Sequence, residues 1–131
     1  MSIFGIGIDI LSIKRITNII KKKLDKKFSY RILSNYELNI LLYNNYNKKN
    51  YTKFLANRFV IKEAVSKALG TGMKYGLKFN NLEIRHNKEG KPYLKFLSHA
   101  KKITKNINIK NIHISLSDEK LYVCAIVIIE N

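Results

Sequence analysis

The sequence has no tryptophan, one proline and one cysteine among its 131 residues, and only 9 acidic side chains against 25 lysines and arginines. The lone Cys124 excludes a disulfide within the chain and suits a reducing compartment. Inside the apolar run 123–129, it is expected to be a buried core thiol. No apolar run approaches the roughly 18 residues that a membrane span requires. The apolar start has no basic leader and is broken by Asp9, which argues against a secretory signal, so a cytoplasmic protein is expected. With no repeat and no Pro- or Ser-rich linker there is no internal boundary, and the length fits a single domain, 1–131.

The shortage of acidic residues leaves a net charge of +16 and a pI near 10.0. Such a balance points to an acidic partner, protein or nucleic acid. The cationic runs at 21–23, 26–27 and 48–49 are lysines, the more strongly hydrated cation. The joint richness in Lys, Asn, Ile and Tyr is as much a mark of codon bias as of a basic face. A nucleic-acid-binding module has this charge as its only support, since the arginine- and aromatic-studded motifs of common binders are missing.

Residues 3–9 alternate branched apolar residues with glycine and read as a buried strand ending in a carboxylate. Leu11, Ile13, Ile16, Ile19 and Ile20 follow a helical period to about residue 24, with Lys14, Arg15 and Lys23 outside it. Ser34 and Glu37 have the spacing of a capping box and start a second helix through Leu38, Leu41 and Leu42. Residues 44–50 read as a loop. Strands are expected at 79–85 and 92–96 around a turn at 87–90, then a short helix capped by Ser98, then a hairpin of 112–117 and 121–129. This order predicts an α+β domain with mostly antiparallel pairing and helices packed against the sheet.

The segment 54–72 is the most informative. Ile61, Ala64, Val65, Ala68 and Leu69 recur at helical spacing and should face a core. Arg58, Lys62, Glu63, Ser66 and Lys67 flank that stripe, with Lys62 and Ser66, and Glu63 and Lys67, one turn apart. Gly70 stops the helix, and Gly70-Thr71-Gly72 is a small-residue turn that lets backbone N–H groups approach a ligand. Cations, a carboxylate and such a turn are what a phosphate-rich, metal-bridged substrate requires. A solvated face with a few ion pairs would need the same residues.

Asp9 either caps the following helix or binds a metal. Gly5 and Gly7 open like a dinucleotide fingerprint, but Ile10 stands where a third glycine belongs. Glu63 either pairs with Lys67 or joins Asp9 in giving Mg²⁺ two oxygens, with water and phosphate completing the shell. His86, His99 and His113 lack metal-ligand spacing; they read as a turn residue, a surface-helix residue and a core residue. Ser115 and Ser117 share one face of their strand and either line a cleft or face water.

Six segments then match a known pattern in order: GIGIDILSIKRI (5–16), RILSNYEL (31–38), RFVIKEAVSKALGTG (58–72), GLKFNNLEI (76–84), GKPYL (90–94) and HISLSDEKLYVCAIVI (113–128). Over nearly its whole length the chain resembles the holo-[acyl-carrier-protein] synthase family of 4'-phosphopantetheinyl transferases. That resemblance implies an α+β fold and a homotrimer with sites between neighbours. It also implies Mg²⁺-dependent transfer of 4'-phosphopantetheine from coenzyme A to a serine of apo-acyl carrier protein, releasing adenosine 3',5'-bisphosphate. Asp9 and Glu63 match the family's metal carboxylates, and Lys62 is placed beside Glu63 to contact the transferring phosphate. Arg58, Lys67 and the Gly70-Thr71-Gly72 turn become candidates for the coenzyme A phosphates, and Lys91, Pro92 and Ser115 for the nucleotide pocket. Arg15, with Lys14, Lys22 and Lys23, is expected to dock the acidic carrier protein. One departure stands out. Many members have a histidine where this chain has Asp118, so the serine proton must go to Asp118, to a carboxylate such as Glu63, or to water. An inactive homologue is disfavoured by the intact set of Asp9, Arg58, Lys62, Glu63 and Gly70 to Gly72.

Overall fold

Two glycines decide how the N-terminal strand meets the longest helix. The computed structural model describes residues 1–131. Strand β1 (Ile3–Ser12) crosses helix α4 (Lys48–Leu69) so closely that a Cβ at Gly7 would collide with the Ala64 carbonyl, and one at Gly5 with that of Ala68. The strand therefore rests on helix backbone, with alanines below and glycines above. This contact sets Asp9 against the second half of α4.

Between them the chain forms α1 (Ile13–Lys21), α2 (Asp25–Ile32) and α3 (Asn35–Asn44). After α4 come a 3₁₀ turn (Phe79–Asn81), the hairpin β2 (Leu82–His86) and β3 (Pro92–Phe96), and α5 (Ser98–Thr104). The chain closes with β4 (Asn111–Asp118) and β5 (Tyr122–Glu130). The main sheet has the order β1-β5-β4, antiparallel throughout, and β2-β3 forms a separate antiparallel pair. The architecture is α+β, as the element order predicts.

A single cluster of 24 buried apolar residues joins the inner sheet face to α4. The predicted stripe Ile61, Ala64, Val65, Ala68 and Leu69 is wholly buried, and Val123, Ala125, Val127 and Ile129 of β5 meet it. The outer sheet face is also apolar. Ile6, Ile8 and Ile10 of β1 are each more than half exposed, and Tyr122 and Ile126 of β5 stand beside them.

The capping box forms as read: Glu37 N–H donates to Ser34 Oγ, and Ser34 N–H to Glu37 Oε1. Four expectations are corrected. Helix α2 occupies a stretch to which no element is assigned from the sequence, because its apolar positions are too few to declare a period. Helix α4 starts at Lys48, capped by Asn47, so most of the expected 44–50 loop is helical. Ser98 lies inside α5 behind a Leu97 N-cap and makes no cap bond. Cys124 and His113 are not core residues: Cys124 is half-buried on the outer face, and His113 is exposed with Nε2 2.8 Å from Glu130 Oε2. Period-2 alternation sends both to the side away from α4.

Gly7→Ala should destabilise the fold by about 2–3 kcal/mol, since the new methyl meets backbone that cannot rotate away. Urea unfolding of the variant against the parent measures this.

Candidate functional site

On the exposed flank of α4, Lys67 donates from Nζ to Asp9 Oδ1 at 2.8 Å and to the Ile8 carbonyl at 2.9 Å. Glu63, one turn before Lys67, is without an ion-pair partner and lies close enough to Asp9 to feel its charge. Partial burial raises the Glu63 carboxyl above its ordinary value, and Asp9 adds to the rise; Lys67, Arg15 and Arg31 oppose it. Two carboxylates near enough that Asp9 raises the proton affinity of Glu63, with no third His, Cys, Asp or Glu joining them, would offer a cation few protein ligands. Their hard oxygens fit a Mg²⁺ ion that keeps most of its shell for water and phosphate.

Lys62 does not belong to this cluster. The sequence reading put it on the exposed flank beside Glu63, but its side chain is 0% exposed on the opposite flank of α4. Its Nζ donates to Glu37 Oε1 and to the Ile32 carbonyl, both at 2.6 Å. Desolvation pushes the Lys62 amine down to about 8, although Glu37 pulls the other way. Ser66 is buried too, its hydroxyl bonded to the Glu63 carbonyl. The expected charged strip thus shrinks to Glu63 and Lys67, and the ammonium near the carboxylates is that of Lys67.

The turn after α4 is likewise narrower than expected as a ligand cradle. Gly70 N–H closes on the Lys67 carbonyl and Gly72 N–H on that of Ser66, which caps the helix with Gly70 at φ 77°. Thr71 is left as the one amide of the three open to a ligand, its hydroxyl donating to the Gly72 carbonyl.

A second group gathers around Arg58. A cavity of about 360 Å³ is lined by Arg58, Asn57, His86, Pro92 and Ser115, with Ile61, Ile84, Ile114 and Leu116 as apolar walls. Lys91 sits in the turn at its rim, its N–H held by Asn87 Oδ1. Arg58 Nε and Asn57 Oδ1 are buried there without hydrogen-bond partners, and the carboxylate facing Arg58, that of Glu37, stays 3.8 Å from Nε. Burial and Arg58 both push His86 below its usual range. Glu37, Asn57 and His86 were not singled out from sequence as site residues; only Glu37 carried a signal, its capping-box spacing.

The two groups do not meet within one protomer. Arg58 and Glu63 are five positions apart on a 3.6-residue helix and point about 140° from each other. Asp9 and Ser115 lie on the two edge strands, with β5 between them, which puts their backbones roughly 10 Å apart. On α1, Arg15 and Lys14 are exposed, and the Arg15 guanidinium lies 5.4 Å from the Phe59 ring centre. Lys22 and Lys23 are exposed at the end of the same helix, while Asp118 pairs with Lys53 at 2.7 Å.

An antiparallel sheet on a glycine–alanine crossing carries a carboxylate pair beside a lysine and, apart from it, an arginine-bearing pocket, groups suited to phosphate-ester chemistry. The chain belongs to the 4'-phosphopantetheinyl transferase superfamily, whose family model matches residues 5–127. Within that superfamily it falls among the holo-[acyl-carrier-protein] synthases. The holo-[acyl-carrier-protein] synthase of Buchnera aphidicola subsp. Baizongia pistaciae is 68% identical over all of both chains. The crystal structure of the Neisseria meningitidis synthase superposes with a TM-score of 0.87 at 37% identity, covering 99% of this chain and 100% of that one. The Helicobacter pylori synthase, solved in complex with coenzyme A, gives a TM-score of 0.78 at 30% identity over 95% of this chain and 99% of its own.

The raised Glu63 carboxyl has a consequence for stability. Below about pH 4.5, its ordinary value, the group is protonated folded or unfolded and contributes nothing. As pH rises through the higher folded value, the folded state must accept a charge it disfavours, and stability is lost. Glu63→Gln should therefore raise the melting temperature at pH 7 in the presence of a chelator, and this gain should vanish near pH 4. Lys62→Met should act in the opposite direction, costing about 3 kcal/mol or more by leaving Glu37 charged and buried; thermal melts of both variants report the contrast.

Proposed function

We propose that the protein transfers the 4'-phosphopantetheine group from coenzyme A to a serine hydroxyl of apo-acyl carrier protein, releasing adenosine 3',5'-bisphosphate, with Mg²⁺ held by Asp9 and Glu63. This reaction in the cytoplasm would support fatty acid biosynthesis. The observation that carries the reading is the convergence of Asp9, Glu63 and Lys67 from elements more than fifty residues apart in the chain. When bound, the ion neutralises charge on the pyrophosphate. The serine oxygen attacks the phosphorus that bears the pantetheine arm, and the bond from that phosphorus to the oxygen retained by adenosine bisphosphate breaks. Lys67, beside Asp9, supplies the ammonium for the transferring phosphate, the part assigned to Lys62 from sequence alone. The serine proton passes to Glu63 or to a water beside it, since Asp118 is engaged by Lys53.

Arg58, with Pro92, Ser115 and Lys91 at the rim, receives the nucleotide end of coenzyme A. Since this pocket and the carboxylate pair lie on different flanks of α4 and on the two edge strands, the reading needs neighbouring copies to complete each site. The bare isoleucine face of β1 and β5 supports such a homotrimer. Arg15 and Lys14 receive the acidic carrier, and Arg15 is near enough to Glu63 to influence its ionisation, so docking there delivers the serine to the carboxylates.

Purified protein with coenzyme A, Mg²⁺ and apo-carrier should raise the carrier's mass by one phosphopantetheine group, and omission of the divalent ion should abolish the gain. Glu63→Gln and Lys67→Met should each lower kcat roughly a hundredfold or more, about 2.7 kcal/mol of barrier. An unchanged kcat in either variant removes that residue from the site. Ile8→Glu should leave a monomer in sedimentation and silence the enzyme, because a charge on that face blocks assembly.

A further inference from the structure

Arg58 is an arginine denied the bonds an arginine normally makes. Its side chain is 12% exposed, its Nε is buried with no partner, and its guanidinium carbon lies 3.8 Å from the centre of the Phe54 ring. The nearest carboxylate oxygen, Glu37 Oε2, stays 3.8 Å from Nε. Glu37 cannot close that gap. Lys62 Nζ holds its Oε1 at 2.6 Å and Ser34 N–H holds the same oxygen at 2.9 Å, while Ile84 N–H reaches Oε2 at 3.2 Å. Lys62 is itself anchored on the Ile32 carbonyl at 2.6 Å. The carboxylate is thus clamped where it attracts the guanidinium without hydrogen-bonding to it. A direct fork-to-fork pair would occupy the donors that a phosphate needs.

We propose that Glu37, clamped by Lys62, is a positioning residue for the coenzyme A pocket: it holds Arg58 against Phe54 while leaving the outer N–H groups free for a phosphate. Lys62, buried beside Arg58, keeps the clamp from collapsing onto it. This rests on the reading that Arg58 receives a coenzyme A phosphate, and the test separates the two.

KM for coenzyme A and kcat are measured, at saturating carrier protein, for Arg58→Met, for the pair Glu37→Gln with Lys62→Met, and for the triple variant. The pair replaces both buried charges by neutral side chains, so neither is left alone. Arg58→Met should raise KM about tenfold or more, and the pair about three- to tenfold with kcat within about twofold of the parent. The triple variant should be no worse than Arg58→Met alone, because Glu37 acts through Arg58. A parental KM in the folded pair, or effects that multiply in the triple variant, overturns the positioning role. A parental KM in Arg58→Met overturns the phosphate reading itself, and the positioning role with it. Should the pair fail to fold, Glu37→Asp keeps the charge but withdraws it. It should raise KM in the Arg58 protein and not in Arg58→Met, and a parental KM there overturns the proposal equally.

Discussion

The ion pair between Glu37 and Lys62, both sealed from solvent, joins more of the molecule than any other polar contact. Through it the start of α3, the end of α2, the middle of α4 and strand β2 meet at one carboxylate. Buried ion pairs add little net stability, because desolvation offsets their attraction. Their force is in geometry: a charge in the core tolerates only arrangements that keep it bonded. Here the arrangement fixes the rotation of α4 about its axis, and with it the flank that carries Arg58 and the flank that carries Glu63 and Lys67. The glycine–alanine crossing fixes the same helix against β1. Together they set both halves of the site.

Electrostatics inside the candidate site work against folding, as a place that binds a cation would require. Asp9 and Glu63 repel, Lys67 bonds Asp9 and offsets the rise at Glu63 only in part, and Glu63 is left with a raised affinity for protons. The Arg58 pocket is the mirror case, a cation short of partners. The strain at each half is of the sign that the proposed ligands would remove, a cation in one and a phosphate in the other. The bonded and sealed Lys62–Glu37 pair has no such debt to a ligand, which agrees with a structural part for it.

Much of this was legible in the sequence, and the failures have physical causes. The α4 stripe, the capping box at Ser34 and the bounds of β3 were visible because each depends on local spacing or on a motif. Lys62 was misplaced because a lysine at a helix flank reads as solvated unless its partner is known, and Glu37 lies 25 residues away. Helix α2 was missed for lack of a period, and His113 and Cys124 were sent inward because two-sided apolar sheets hide which face is the core. The glycines at 5 and 7 were noticed for the wrong virtue: they admit a helix, not a nucleotide.

The order β1-β5-β4 places the last strand between the other two, with Ile3 opposite Glu130. Neither β1 nor β4 has another partner in the main sheet, so during synthesis on the ribosome β1 has only its crossing on α4, and Asp9 and Ser115 lie on strands not yet joined, until residues 122–130 emerge. A message truncated shortly before its end would yield no partly active product, because the strand that is lost is the one to which both others are tied.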